Sequence, residues 1–255
     1  MVIHLANLSG IVLVYLLGFS RIGAMVMLLP AIGDTAVPPM IRLVLALAIT
    51  FAIAPIIAHY YPATPPASVM ALVLMILKEV VIGLLIGVMA TIIMSTLQVA
   101  GSIIASQIGL SYSQSFDPAF GGEDTSISNF ISLLGTVLIF ATNLHHLAIG
   151  AIIGSYHIMP PAAGLPAADM ARLSVRLVSA SFALGLQLAA PFVVFGFAVN
   201  IGFGFLAKMM PQLQVFFIAM PLNLLAGFFL MILLIGTMMT AFLNFFGTQM
   251  AHFMG

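Results

Sequence analysis

Residues 69–107 read "VMALVLMILKEVVIGLLIGVMATIIMSTLQVAGSIIASQ", an almost unbroken run of apolar side chains. The charges in this run are the adjacent pair Lys78-Glu79, and almost thirty uncharged residues follow them. Because about 20 apolar helical residues cross the hydrocarbon core of a bilayer, the run is too long for one simple span. It predicts a strongly tilted helix, a bent helix or two packed pieces.

The rest of the chain has the same character. It has 255 residues, of which 63% are hydrophobic and only 5% are charged, whereas soluble domains carry roughly 25% charged residues. Six long apolar segments follow one another, near 5–29, 40–59, 69–107, 126–154, 173–206 and 214–247. We therefore predict an all-α integral membrane protein. The first segment is expected to be a retained helix, since its first cation, Arg21, comes too late for a secretory signal.

Charge and motif content exclude several classes of function. Six basic residues balance six acidic ones, and no basic stripe is available to neutralise a nucleic-acid backbone. The absence of cysteine removes disulfides, thiolate metal sites and cysteine nucleophiles. The sequence also lacks the G-x-S-x-G, H-E-x-x-H and P-loop patterns. We therefore expect no enzyme activity, no catalytic residue, and no cofactor or metal site.

Ionisable residues inside apolar segments are candidates for function, because a lone charge is costly in a low dielectric. Lys78 and Glu79 meet this criterion. Neighbouring residues on a helix point about 100° apart, so each is expected to bond to an adjacent helix rather than to the other. Structural pairing and ion transport both remain open for this pair. For Arg21 we expect snorkelling or an interface salt bridge.

Two other patterns concern helix ends and helix packing. In "ATNLHHLAI", Asn143, His145 and His146 are predicted to lie on a helix, and adjacent histidines do not share a face as an i, i+4 metal pair does. A hydrogen-bonding cluster at a helix end is the favoured interpretation. G-x-x-x-G spacing, which lets helices approach closely in a membrane, occurs at Gly83/Gly87 and Gly150/Gly154.

The distribution of cations does not give a simple topology. If the N-terminus lies outside, Arg42 and Lys208 fall inside as the positive-inside rule requires. Arg172 and Arg176 then fall on the opposite face, and the loop at 109–125 has no cation. A standard six-span arrangement is therefore doubtful. Packing of the helices against partner proteins instead of lipid would explain the discrepancy.

Five patches of the chain, in collinear order, resemble the FliR/SctT family of type III secretion export-gate subunits. They are "SRIGAMVMLLPAIGDTAVPPMIRLVLALAIT" (20–50), "KEVVIGLLIG" (78–87), "AGSIIASQIGLSYSQSFDPAFG" (100–121), "NLHHLAI" (143–149) and "NIGFGFLAKMMPQLQVFFIAMPLNLLAGF" (200–228). The resemblance covers nearly the whole chain.

The resemblance implies a single FliR-like subunit, present in one copy per gate of a hetero-oligomer. Residues up to about 170 resemble FliP, and those from about 171 to 255 resemble a FliQ-like helical hairpin. Helical hairpins with long tilted helices would join a helical export-gate ring in the bacterial inner (cell) membrane, at the flagellar basal body. The implied partners are FliP-like and FliQ-like subunits, an FlhB-like switch protein, unfolded secretion substrates and membrane lipid.

The resemblance also implies roles for individual residues. The loop "GLSYSQSFDPAFGG" is similar to the family's plug, which lies in the pore and helps to keep it shut. The matching positions are Gly109, Leu110 and Ser111 in the opening turn, Tyr112 where other members often carry Phe, the constant aromatic Phe116, the terminating Asp117-Pro118, and Phe120. Lys208, Pro211 and Gln212 match the turn of the C-terminal hairpin. Together with these three, the candidates for assembly contacts or buried charges are Arg21, Arg42, Lys78, Glu79, Asn143 and His145.

A rival interpretation is a secondary transporter or channel for a small solute. It would use Lys78-Glu79 or Arg21 near the midplane of the membrane, with Gly- and Pro-broken helices around the site. An intramembrane hydrolase is disfavoured, because the sequence shows no arrangement of nucleophile and base. The two surviving interpretations differ in whether the protein requires partner subunits.

Overall fold

The computed structural model describes residues 8–30, 32–33, 37–62, 66, 68–110, 126–161, 164, 167–210 and 215–253. Within these ranges every regular element is helical. The α-helices are α1 (Leu8–Val26), α2 (Pro39–Ile57), α3 (Val69–Gln107), α4 (Ser126–Ala141), α5 (His145–Ile158), α6 (Ala167–Met209) and α7 (Val215–Ala251), and a short 3₁₀ helix (Ala58–Tyr60) follows α2. The predicted all-α fold class is confirmed.

The helix lengths refine the predicted spans. Residues 69–107 form one continuous helix of 39 residues, so the alternative of two packed pieces is wrong. The apolar segment at 126–154 instead divides into α4 and α5, which are bent by 77° at the break. In the part of the chain that the structure describes, four helices are long and apolar enough to cross a membrane, or five if the bent pair counts as one span. Helix α1 is a shorter apolar helix in its described part, so fewer than the six expected spans are found among the described residues.

The chain folds into two compact units. The first contains Met1–Ile93, Thr142–Leu177 and Phe246–Gly255, and the second contains Met94–Ala141 and Val178–Phe245. Each unit therefore combines segments that are far apart in sequence. Helix α3 contributes its first part to the first unit and its last part to the second.

In the first unit, glycines on α3 let it pack closely against α1. A Cβ atom on Gly83 would overlap the carbonyl oxygen of Arg21, and one on Gly87 would lie 2.7 Å from the Cβ of Leu28. Because the residue numbers rise together, the two helices run parallel here. Thr91 Oγ1 donates a hydrogen bond to the Leu28 carbonyl over 3.0 Å. The Gly83/Gly87 spacing thus makes the close contact that G-x-x-x-G predicts.

In the second unit, α6 packs on α3 in a similar way. A Cβ on Gly185 would lie 3.0 Å from the Thr96 carbonyl oxygen, and one on Gly196 would lie 3.3 Å from the Cβ of Gln107. The second contact lies eleven positions after the first on both helices, which is about three helical turns. The two helices therefore run parallel. Helix α4 also approaches α3. A Cβ added to Gly101 of α3 would lie 2.5 Å from the Cα of Ser128 of α4.

Substitution of Gly83 by alanine tests whether these contacts hold the helices together. We expect Gly83→Ala to lower the free energy of unfolding by about 1–3 kcal/mol, because the new methyl group displaces the backbone of α1. The shift of the thermal unfolding midpoint in detergent measures the loss.

Gly236 on α7 provides the matched control, since a Cβ there meets no atom of the described residues within 4 Å. Alanine has a helix propensity about 1 kcal/mol better than glycine, so Gly236→Ala is expected to be neutral or stabilising. Equal midpoints for the two variants would contradict the packing described for α1 and α3.

Candidate functional site

A buried ion pair joins α1 to α3. The guanidinium Nε of Arg21 donates to Oε2 of Glu79 over 2.6 Å, and Nη2 donates to Oε1 over 3.2 Å. The side chains are 0% and 2% exposed, respectively. Two parallel hydrogen bonds to one carboxylate give the bidentate geometry in which arginine binds carboxylates most strongly. Both charges are thus compensated inside the first unit.

Arg21 also binds the end of α5. Its Nη1 donates to the Ser155 carbonyl over 3.1 Å and lies 3.4 Å from Ser155 Oγ, while Nη2 donates to the Met159 carbonyl over 3.0 Å. The last carbonyls of a helix lack partners within the helix and carry partial negative charge. A cation at this position stabilises them. Arg21 therefore links three helices: α1, α3 and α5.

Lys78 and Glu79 bond in different directions, in agreement with their separation on the helix. Lys78 Nζ donates to the Pro161 carbonyl over 2.5 Å, just beyond the end of α5. Glu79 instead binds Arg21 on α1. Two cations, Arg21 and Lys78, thus bind carbonyl groups in the last turn of α5 and in the chain that follows it. The adjacent pair in the sequence serves two separate contacts.

Two tyrosines complete the surroundings of the pair. Tyr61 donates a hydrogen bond from its hydroxyl to Glu79 Oε2 over 3.1 Å, and its hydroxyl lies 3.4 Å from that of Tyr156. The central carbon of the Arg21 guanidinium is 4.1 Å from the centroid of the Tyr156 ring, a cation–π distance. Burial is the main cause that raises the pKa of Tyr61, so this phenol stays protonated and remains a donor.

We call Arg21, Tyr61, Glu79, Ser155, Tyr156 and Met159 the buried ion-pair network. Both carboxylate oxygens of Glu79 accept hydrogen bonds, and all three guanidinium nitrogens of Arg21 donate. Desolvation of an ion pair is offset only when such additional hydrogen bonds satisfy the remaining groups. The arrangement is that of a structural tie between helices. It does not resemble an exchangeable ion site.

The sequence did not point to Tyr61, Ser155 or Tyr156. Tyr61 follows the last turn of the 3₁₀ helix, and Ser155 and Tyr156 lie in an apolar run. The sequence shows that these polar side chains lie in or beside apolar segments, and that other apolar segments carry the charged residues Arg21 and Glu79. That signal does not identify a partner, because Arg21 and Ser155 are 134 residues apart.

The second predicted site is the loop after α3, and the structure describes only its beginning. The Leu110 N–H donates to the Ala105 carbonyl over 3.0 Å, and the Gly109 N–H lies 3.3 Å from the Ser106 carbonyl oxygen. Gly109 has a φ of 87°. These contacts form a Schellman motif, which ends a helix with a glycine in the left-handed conformation. The other predicted plug residues, Ser111, Tyr112, Phe116, Asp117, Pro118 and Phe120, lie outside the described residues.

The predicted cations Arg42 and Lys208 lie outside the buried ion-pair network. Arg42 Nε donates to the Val37 carbonyl over 2.9 Å, and Nη1 donates to the Gly33 carbonyl over 3.3 Å, so Arg42 binds two carbonyl groups that precede α2. Lys208 is exposed in the last turn of α6. Pro211 and Gln212, predicted to act with Lys208, lie outside the described residues.

The placement of Asn143 on a helix is wrong. It lies in the turn between α4 and α5 with a φ of 62°, a conformation that asparagine tolerates better than most residues. His145 and His146 begin α5, and their ring centroids are 4.2 Å apart. In the described part of the chain, no three His, Cys, Asp or Glu residues are grouped so that they could hold a metal ion.

The fold and the buried ion-pair network define a class: a helical membrane protein with several helices long and apolar enough to cross a membrane, in which a buried ion pair joins two helices. Comparison with known proteins identifies the family. The model for bacterial export proteins, family 1, matches residues 12–249, and the chain therefore belongs to this family. The resemblance deduced from the sequence is confirmed.

Three relatives show the extent of the similarity. The chain is 42% identical over 215 residues to the flagellar biosynthetic protein FliR of Caulobacter vibrioides, covering 84% of this chain and 85% of the relative. It is 32% identical over 213 residues to FliR of Escherichia coli, covering 83% and 80%. FliR of Bacillus subtilis is 28% identical over 158 residues, 61% of each chain.

Breaking the buried ion pair by removal of one partner is predicted to be strongly destabilising. We expect Arg21→Met to cost about 3–5 kcal/mol, because it leaves Glu79 buried and unpaired. The double variant Arg21→Met with Glu79→Leu removes both charges and is expected to be less destabilised than Arg21→Met. Thermal unfolding in detergent, followed by the loss of monodisperse protein, measures both.

Arg172→Met serves as the control for loss of an arginine. Arg172 is 77% exposed and lies 3.9 Å from Asp169, and exposed pairs contribute about 0–1 kcal/mol. An Arg21→Met variant no less stable than Arg172→Met would show that the buried pair does not hold the helices.

Proposed function

We propose that the chain is a subunit of the flagellar type III secretion export gate, acting with FliP- and FliQ-like subunits in a membrane-associated pore for unfolded flagellar proteins. The observation that carries the proposal is the family match, which extends over residues 12–249. All five collinear patches of the sequence lie within that range. In this role the protein conducts substrates and catalyses no reaction.

The exposed surface supports a protein that is covered by lipid and partner subunits. Many large apolar side chains on the helices point outward; Phe51 and Phe229 are each 71% exposed and Ile232 is 74% exposed. Extended apolar surface marks membrane or protein contacts. By contrast, the charges of the buried ion-pair network are satisfied within the chain. Contacts with partners would therefore depend mainly on apolar packing.

The loop that follows α3 is proposed as the plug of the pore. Phe116, with Tyr112 and Phe120, would fill the pore with apolar volume, and an apolar constriction excludes water and ions. The Schellman motif at Gly109 supports this role, because it ends α3 directly before the loop. A substrate would displace the loop when it enters.

The geometry of Glu79 argues against the rival function of a small-solute transporter. A coupling carboxylate must be able to exchange its bound proton or ion. Glu79 is 2% exposed and is engaged by Arg21 through both oxygens, with Tyr61 as a further donor. Exchange at this site would require the helix contacts to be broken.

Deletion of residues 110–120 tests the plug directly. We expect the variant to assemble with its FliP- and FliQ-like partners and to leak small ions, because the apolar obstruction is gone. Ion leakage and motility are measured in cells at equal expression, and assembly is measured by co-purification.

The double substitution Glu123→Gln with Asp124→Asn is the control in the same loop. It lies outside the deleted segment and is expected to leave the membrane tight. An assembled deletion variant with an unchanged membrane and normal export would show that the loop is an ordinary connector.

Dependence on partners separates a gate subunit from a transporter. We expect the chain to be recovered in a stable complex only when FliP- and FliQ-like proteins are co-expressed, at a fixed ratio determined by mass measurement of the complex. A chain that is stable alone and takes up a small solute in vesicles, with loss of uptake in Glu79→Gln, would instead support the transporter.

A further inference from the structure

The last residue of α3 packs closely against a glycine of α6. Gly196 is buried, and a Cβ atom built on it would lie 3.3 Å from the Cβ of Gln107 and would overlap Oε1 of the same side chain. A larger residue at position 196 would require the end of the Gln107 side chain to move and would press on its Cβ. Gln107 is the last residue of α3, two positions before the glycine turn at Gly109. The end of the helix thus rests on the backbone of α6.

Helix α7 holds the same turn from a second direction. A Cβ on Gly227 would overlap Cγ2 of Ile108 and would lie 2.8 Å from its Cβ. One helical turn earlier, Asn223 Nδ2 donates a hydrogen bond to the Gln107 carbonyl over 3.2 Å. Residues four apart lie on the same helix face, so Asn223 and Gly227 contact two consecutive residues, Gln107 at the end of α3 and Ile108 directly after it.

The hydrogen bond from Asn223 satisfies a carbonyl group at the end of α3. The final carbonyls of an α-helix have no partner within the helix. The Schellman motif uses those of Ala105 and Ser106, and Asn223 satisfies the next one, on Gln107. The buried Oδ1 of Asn223 has no hydrogen-bond partner among the described residues. The hydrogen bond that the structure shows for this side chain is thus the one to the end of α3.

We infer that Gly196, Asn223 and Gly227 form a loop anchor, a set of positioning residues that fixes residues 107–110 and with them the start of the plug. This inference rests on the proposed function of the loop as a plug. None of the three residues was indicated by the sequence patterns as a site. Their role is to hold the base of the loop, so that loosening the anchor lets ions pass although the loop itself is intact.

A disulfide cross-link tests the geometry of the anchor without reference to the pore. The chain contains no cysteine, so the double variant Gln107→Cys with Gly196→Cys carries the only two thiols. Their Cβ atoms would lie 3.3 Å apart, close to the roughly 3.5–4.5 Å of a disulfide. We expect both thiols to disappear on mild oxidation of the purified complex, as measured by alkylation and mass spectrometry.

Gln107→Cys with Gly202→Cys is the control pair, since a Cβ at Gly202 meets no atom within 4 Å. It is expected to keep both thiols under the same conditions. Equal cross-linking of the two pairs, or none in either, would overturn the anchor.

Ion leakage tests the positioning role. In the complex with FliP- and FliQ-like partners, we expect Gly196→Ala and Asn223→Ala each to raise leakage several-fold above the native level while the complex still assembles. Gln107→Ala added to Gly196→Ala removes the overlapping side-chain atoms and is expected to restore a tight membrane. Asn223→Ala adds no atoms, so it remains informative if Gly196→Ala does not assemble.

Gly202→Ala and Gly236→Ala are the controls, and both are expected to stay tight because an added Cβ meets no described atom of this chain within 4 Å. If the 110–120 deletion leaks but Gly196→Ala and Asn223→Ala do not, the anchor is overturned and the plug stands. If the deletion itself does not leak, the plug is overturned and the positioning role falls with it.

Discussion

A guanidinium removed from water constrains the arrangement of the first unit. Arg21 has no exposed surface, and its nitrogens donate to Glu79 on α3 and to carbonyls at the end of α5. An uncompensated charge in such a place would cost several kcal/mol. The three helices must therefore meet with their polar groups in register. Apolar packing alone would allow many arrangements, whereas this network permits few.

Close backbone contact provides the second constraint. Lipid is as apolar as a leucine side chain, so helices in a membrane associate through close packing instead of the hydrophobic effect. Gly83 and Gly87 bring α3 to α1, and Gly185 and Gly196 bring α6 to α3. The glycines occur where a side chain would meet backbone or a Cβ atom. Each unit thus has its own set of small residues that determine how closely its helices approach.

The sequence was sufficient for the helical class and for most helix bounds, because long apolar runs separated by Pro- and Gly-rich connectors are local features. The break between α4 and α5 was missed, since apolar residues continue on both sides of it. In the structure the break contains Asn143 in a left-handed conformation, and a single asparagine in the sequence does not indicate such a break. The partner of Glu79 could not be predicted from local patterns. Arg21 is 58 residues away, and charge, burial and helical spacing do not specify which helices meet.

The residues predicted from the sequence as assembly contacts or buried charges can now be separated by whether they have partners inside the chain. Arg21 and Glu79 satisfy each other, and Lys78 binds the Pro161 carbonyl, so these three contribute to the fold of the chain itself. An assembly contact requires a group that is accessible before the partner arrives. The exposed apolar faces meet that requirement. A subunit built in this way would fix its charged interior first and meet lipid and partners through apolar surface.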